Sequence, residues 1–171
     1  MAKKTGSLVA VVMGSGSDAD TMAGATETLD ALGVACEVAV VSAHRTPERC
    51  RAFARGASRR GIRVIIAGAG KAAHLAGVVA SHSMLPVIGV PLDAGMGGLD
   101  ALLAMAQMPP GVPVATVAVG RPGAVNAALL AVEILALRDP ALARRLAAYR
   151  RGQAAKVTRQ SREVARRLRG T

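Results

Sequence analysis

Leu8-Val9-Ala10-Val11-Val12-Met13-Gly14-Ser15-Gly16-Ser17-Asp18 is the stretch on which the fold turns. Its first six residues are apolar without alternation, which suits a strand covered on both faces, and the glycines that follow make a tight turn before a helical pattern running to about Leu32. A strand, a glycine turn and a helix form half of a crossover unit. The same unit recurs downstream. Cys36–Val41 reads as a second strand, followed by a helix from Pro47 to about Arg60. Ile62–Ala67 reads as a third, followed by the loop Gly68-Ala69-Gly70-Lys71 and a helix from about Ala72 to Ser81. Pro86–Val90, the flexible loop Gly95–Gly98 and a helix over Leu99–Met108 make a fourth. Pro109-Pro110-Gly111 stops that helix, Val114–Val119 gives a fifth strand, and Pro122 opens a helix to about Leu137. The expected fold is an α/β three-layer αβα sandwich with five parallel strands in flavodoxin-like order, since right-handed crossovers leave few alternatives.

A further helix follows Asp139-Pro140, with Leu142, Leu146, Tyr149, Val157, Val164 and Leu168 as a narrow apolar stripe among charges. Either the domain's own surface or another subunit must cover it, at roughly 1.5–3 kcal/mol for each large side chain left in water. This segment also carries the basicity. From Arg138 onward there are eleven Lys and Arg against two acidic residues, whereas the first 137 residues hold eleven against nine. Nucleic-acid grooves usually combine such charge with stacking aromatics, and this chain has only Phe53 and Tyr149, so a nucleic-acid partner is not expected.

With 171 residues, 51% of them apolar, the chain suits one domain with a sizeable core. The run Leu8–Met13 is too short for a signal peptide and ends in glycine, and no apolar stretch approaches the ~20 residues of a membrane span. Cys36 and Cys50 have no paired spacing, so reduced thiols and a cytoplasmic location are expected.

The candidate chemistry sits at strand ends. Gly14-x-Gly16-x-x-Ala19 matches a dinucleotide fingerprint on paper, but the second strand ends in Val41-Ser42-Ala43, without the acid that would hold a ribose there. Two glycines, Ser15 and Ser17 at a helix start instead suit a single phosphate. Asp18 would repel that phosphate; it is either a partner for a ribose diol or a helix cap. Ser42-Ala43-His44-Arg45-Thr46-Pro47 puts a hydroxyl, an imidazole and a guanidinium in a strand-to-helix turn at the carboxyl end of the sheet, where ligands bind. Alone, that turn reads equally as a cap beside a surface His and Arg. Gly68-Ala69-Gly70-Lys71 is not a P-loop, because Ile65 and Ala72 break the pattern. His74 is expected one turn into the next helix, and His82 on the surface. No histidine or cysteine pair has metal-ligand spacing, and no nucleophile signature appears, which leaves acid–base chemistry by an imidazole.

Gly14–Asp18, Ser42–Pro47 and Ala67–Leu75 together closely resemble the N5-carboxyaminoimidazole ribonucleotide mutases of bacterial purine biosynthesis. Pro86–Pro91, Gln107–Thr116 and Asn126–Ala131 extend the likeness, which covers about residues 7 to 137. The resemblance implies a catalytic domain over residues 1–137, with 138–171 a basic helix packing on the core or on a neighbouring subunit. It implies a cofactor-free, metal-free shift of a carboxylate from the exocyclic nitrogen of aminoimidazole ribonucleotide to a ring carbon, by release and recapture of carbon dioxide. His44 matches the family's proton carrier. Asp18 matches a ribose ligand, Ser15 and Arg45 match groups around the phosphate, and Ser17, Ser42, Gly70 and His74 match further pocket positions. A homo-octamer is implied, with the last helix reaching a neighbour. Three departures stand out: Lys71 where the mutases have glycine, Ala76 in place of a proline, and Leu92–Gly97 in place of a polar loop. They leave three alternatives, a paralogue acting on a related ribonucleotide, a carboxylase using free carbon dioxide, and a nucleotide-binding module without turnover. Lys71 either pairs with the migrating carboxylate or points into solvent.

Overall fold

The computed structural model describes residues 6–170. Five parallel strands, β1 (Val9–Met13), β2 (Cys36–Val40), β3 (Val64–Gly70), β4 (Val87–Leu92) and β5 (Ala115–Thr116), form one sheet in the order β2-β1-β3-β4-β5. That is the expected flavodoxin-like order. Six helices surround it: α1 (Ala19–Ala31), α2 (Pro47–Gly56), α3 (Leu75–His82), α4 (Leu99–Ala106), α5 (Gly120–Ala136) and α6 (Pro140–Arg169).

The two faces of the sheet explain why the strands read as unbroken apolar runs. Val9, Val11 and Met13 of β1, with Val64, Ile66, Ile88 and Val90, pack under α1 and α5, against Met22, Leu29, Ala128 and Val132. Ala10 and Val12, with Ile65, Ala67 and Val87, pack under α2, α3 and α4, against Cys50, Val79, Ala101 and Met105. Period two therefore survives as a choice between two cores. Apart from Gly70 at the end of β3, only the edges depart from full burial: Val38 and Val40 of β2 are exposed, and β5 is two residues long. Pro113 just precedes β5 and offers no N–H to a ladder, which is tolerable at an edge.

Several boundaries differ from the sequence expectation. The third strand does not end at Ala67 but runs through Gly70, because Ala69 and Gly70 pair with Pro91 and Leu92 of β4. The helix after it begins at Leu75, not Ala72, since Lys71 (φ 56°) and Ala73 (φ 48°) adopt left-handed conformations that no helix accommodates. His74 is consequently the residue that caps α3, not one a turn inside it. The helix after Pro47 stops at Gly56 and continues to Arg60 only as a 3-10 turn.

Helix α6 divides its apolar stripe. Asp139 caps it, accepting from the N–H groups of Ala141 (2.9 Å) and Leu142 (3.0 Å), with Pro140 in the first turn. Leu142 is buried and Leu146 and Tyr149 pack beside it on the core under α5, while Arg145 Nε donates to Leu32 O (2.8 Å) and Arg150 pairs with Glu133. From Arg151 onward every residue of the helix is exposed, including Val157, Val164 and Leu168. Among the described residues no helix is long and apolar enough to cross a membrane.

Candidate active site

Parallel pairing of β1 with both β2 and β3 brings three strand ends to one edge of the sheet, and the turns that leave them meet there. Together they line a cavity of about 480 Å³. All nine side chains or glycines singled out from the sequence border it: Ser15, Ser17, Asp18, Ser42, His44, Arg45, Gly70, Lys71 and His74.

The first turn is held by a reciprocal cap. Ser15 Oγ accepts from Ser17 N (3.3 Å), and Asp18 Oδ2 accepts from Ser15 N (3.1 Å). The Ser17 hydroxyl donates to Ser15 Oγ at 2.9 Å. Asp18 is thus a cap and a lining carboxylate at once, so the two sequence readings are not exclusive. In the second turn Thr46 Oγ1 donates to Ser42 O (3.0 Å) and accepts from Ser42 N (3.3 Å), folding the chain back sharply enough to turn His44 and Arg45 toward the cavity. Arg45 Nη2 donates to Gly14 O (3.0 Å) and its backbone N–H to Ser42 Oγ (3.1 Å), which ties the second turn to the first. That guanidinium also borders a smaller adjoining hollow of about 340 Å³ with Gly16, Thr46 and Arg49. Arg49 is a residue the sequence reading passed over. Its signal was there: it lies in the first turn of a helix whose start is already at the site.

The third turn brings in the second imidazole. His44 Nε2 and His74 Nδ1 are 2.7 Å apart, with the rings edge to face at 79°. Such a contact needs an N–H on one ring and a lone pair on the other, so the pair carries one proton between the two atoms. His74 reaches His44 because α3 starts late, the very point on which the sequence expectation placed it differently. Gly70 is required by space: a Cβ there would lie 2.8 Å from Ala94 Cβ and 3.0 Å from Leu92 O.

Lys71 and Ala94 line the cavity, so two of the three departures from the mutase pattern do border the site. Ala76 does not. It is fully buried in the core beside Gly89. The backbone at Lys71 is one that glycine adopts more easily than lysine: a side chain at φ 56° costs roughly 1–2 kcal/mol. Lys71→Gly is therefore expected to stabilise the protein by about 1 kcal/mol, read as a higher denaturation midpoint. An unchanged or lowered midpoint would mean that the lysine makes compensating contacts.

Two fixed cations, Arg45 and Lys71, stand against one carboxylate, Asp18, around two imidazoles, which fits a ligand with more than one negative group and a reaction that moves protons. Burial pushes the thiols of Cys36 and Cys50 up from their ordinary value, which makes poor nucleophiles of both. A larger cavity of about 690 Å³ lies near the start of β4, lined by Arg55, His82, Met84 and Val112 among others. It is at the opposite end of the strands and gathers no comparable set of converging groups.

The chain is similar over most of its length to proteins of known name. It is 55% identical over 150 residues to the N5-carboxyaminoimidazole ribonucleotide mutase of Brucella melitensis, covering 87% of this chain and 93% of that protein. The protein of the same name from Escherichia coli is 51% identical over 150 residues, covering 87% and 89%. Among solved structures, Treponema denticola PurE superposes with a TM-score of 0.80 at 27% identity over 91% of this chain and 96% of that one. A PurE2 variant of the same organism gives 0.84 at 25% identity over 93% and 98%. The family model described as AIR carboxylase matches residues 8–156, and by that match and those identities the chain belongs to the AIR carboxylase family.

Proposed function

We propose that the protein interconverts N5-carboxyaminoimidazole ribonucleotide and 4-carboxy-5-aminoimidazole ribonucleotide, an isomerase step in de novo purine biosynthesis. One observation carries the reading beyond family membership: His44, already in contact with a second imidazole, stands in a cavity that also presents Arg45, Asp18 and Lys71.

The reaction balances with protons alone. When the carbamate N–C bond breaks, its electron pair returns to nitrogen, which takes up a proton from imidazolium, and carbon dioxide is released. The ring carbon of the electron-rich aminoimidazole then attacks the trapped gas, and that carbon loses its proton to the imidazole. One histidine gives a proton to the nitrogen and takes another from the ring carbon, which returns it to its starting state, so no cofactor enters. His44 is assigned this role, with His74 holding its ring through the 2.7 Å contact. Ser15, Ser17, Ser42 and Arg45 receive the phosphate end, Asp18 the ribose hydroxyls, and Gly70 gives the base room against the third turn. Lys71 is assigned to the carboxylate, as a point charge that glycine does not supply. Incubation of the purified protein with the carbamate, in parallel with aminoimidazole ribonucleotide and bicarbonate, separates this reading from its rival. Conversion of the carbamate supports the mutase; conversion of the second mixture alone would mark a carboxylase.

We further propose that the protein is cytoplasmic and a homo-octamer in which residues 1–137 form the catalytic domain and α6 reaches a neighbour. Leu142, Leu146 and Tyr149 are already used within the chain, so the portion of the stripe left for a partner is Val157, Val164 and Leu168. Removal of residues 152–171 is accordingly expected to shrink the assembly without unfolding the subunit. Equal mass by light scattering with and without those residues would contradict it.

A further inference from the structure

Helix α6 has a second face that neither the fold nor the proposed chemistry uses. Arg144, Arg151, Arg162 and Arg169 recur at intervals of 7, 11 and 7 residues. At about 100° per residue those steps bring all four to within about 20° of one line, with Arg159 and Arg166 about 40–80° to one side of it. The stripe of Leu142, Leu146, Tyr149, Val157, Val164 and Leu168 lies about 180° away. All six arginines are exposed, and among the described residues none has a carboxylate within ion-pair distance. The one acid of the helix, Glu163, lies outside this arc. The row is about 38 Å long, at 1.5 Å per residue over 25 residues.

We propose that this arginine face is a binding surface for duplex nucleic acid, held through its phosphates and without sequence preference. Like charges at this density repel one another and attract a polyanion. The rest of the subunit does not supply one, since its charges nearly cancel. The scarcity of aromatics, which argues against a groove for single strands, excludes base stacking and leaves backbone contact untouched. A membrane surface fits less well. A helix lying in a bilayer interface inserts its apolar face, and here the first half of that face is already packed on the protein, with no Trp or Phe on the helix at all. Because the arginines lie opposite the stripe, they remain outward in any assembly that covers Val157, Val164 and Leu168.

The test is fluorescence anisotropy of the intact protein with a short DNA duplex and an RNA duplex, titrated at several salt concentrations, beside vesicles of phosphatidylcholine and phosphatidylserine in equal amounts. The fourfold variant R144Q/R151Q/R162Q/R169Q keeps helix-favouring side chains and is checked by circular dichroism and light scattering. Its charge-matched control is R51Q/R55Q/R59Q/R63Q. Binding to a duplex that weakens with salt, falls at least about tenfold in the α6 variant with a salt slope shallower by about 3–4, and stays near wild type in the control is the expected result. No duplex binding at low salt, equal losses in the two variants, or tighter binding to vesicles than to duplex would overturn it.

Discussion

His44→Asn is expected to bind the ribonucleotide with nearly normal affinity and to turn it over at least about a hundredfold more slowly. Asparagine keeps some hydrogen bonding toward the cavity and to His74, but its amide neither accepts nor releases a proton at neutral pH. General acid–base catalysis contributes typically 10²–10⁴-fold, and the proposed cycle uses the same imidazole twice. His74→Asn is expected to lose less, because His74 acts by holding the His44 ring through Nδ1. Calorimetric titration separates binding from turnover in both. Near-normal turnover in His44→Asn, with His74→Asn inactive, would transfer the proton to His74.

The second large effect is at Asp18, where a pair of substitutions separates cap from ligand. Asp18→Asn can still accept from Ser15 N and so preserve the reciprocal cap, but it brings no charge to the ribose hydroxyls. A hydrogen bond to a charged group contributes about 1.5–3 kcal/mol, so affinity is expected to fall roughly tenfold to hundredfold with little change in stability. Asp18→Ala should show the same loss of affinity and, in addition, about 0.5–2 kcal/mol of destabilisation from the lost cap. Unchanged Kd in both variants would leave Asp18 as a cap alone.

The strand order was readable because each crossover unit announces itself: an apolar run, then glycine or proline, then a helical pattern, as at Met13-Gly14 and Thr46-Pro47. The lining of the site was readable for the same reason, since the turns at three strand ends contain its polar residues. Less visible was where β3 hands over to α3. Gly68-Ala69-Gly70 has the composition of a loop, yet neighbouring β4 offers it hydrogen-bonding partners, and a residue's own propensity does not report what lies beside it. Lys71 and Ala73 are likewise poor candidates for positive φ from type alone, and their conformations set the start of α3 and hence the His44–His74 contact. The stripe of α6 was legible as a need for cover, but not its division between the chain's own core and open solvent, which depends on where α5 ends beneath it.

In the proposed reaction one carboxylate moves from nitrogen to carbon inside this cavity. The most direct measurement supplies the purified protein with N5-carboxyaminoimidazole ribonucleotide labelled with carbon-13 in its carboxylate, in buffer containing unlabelled bicarbonate, and follows the label by NMR. The label is expected on the ring carbon of the product with little dilution, because the released carbon dioxide is recaptured before it escapes. Unlabelled product drawn from the bicarbonate, or release of labelled carbon dioxide with no carboxylated product, would contradict it.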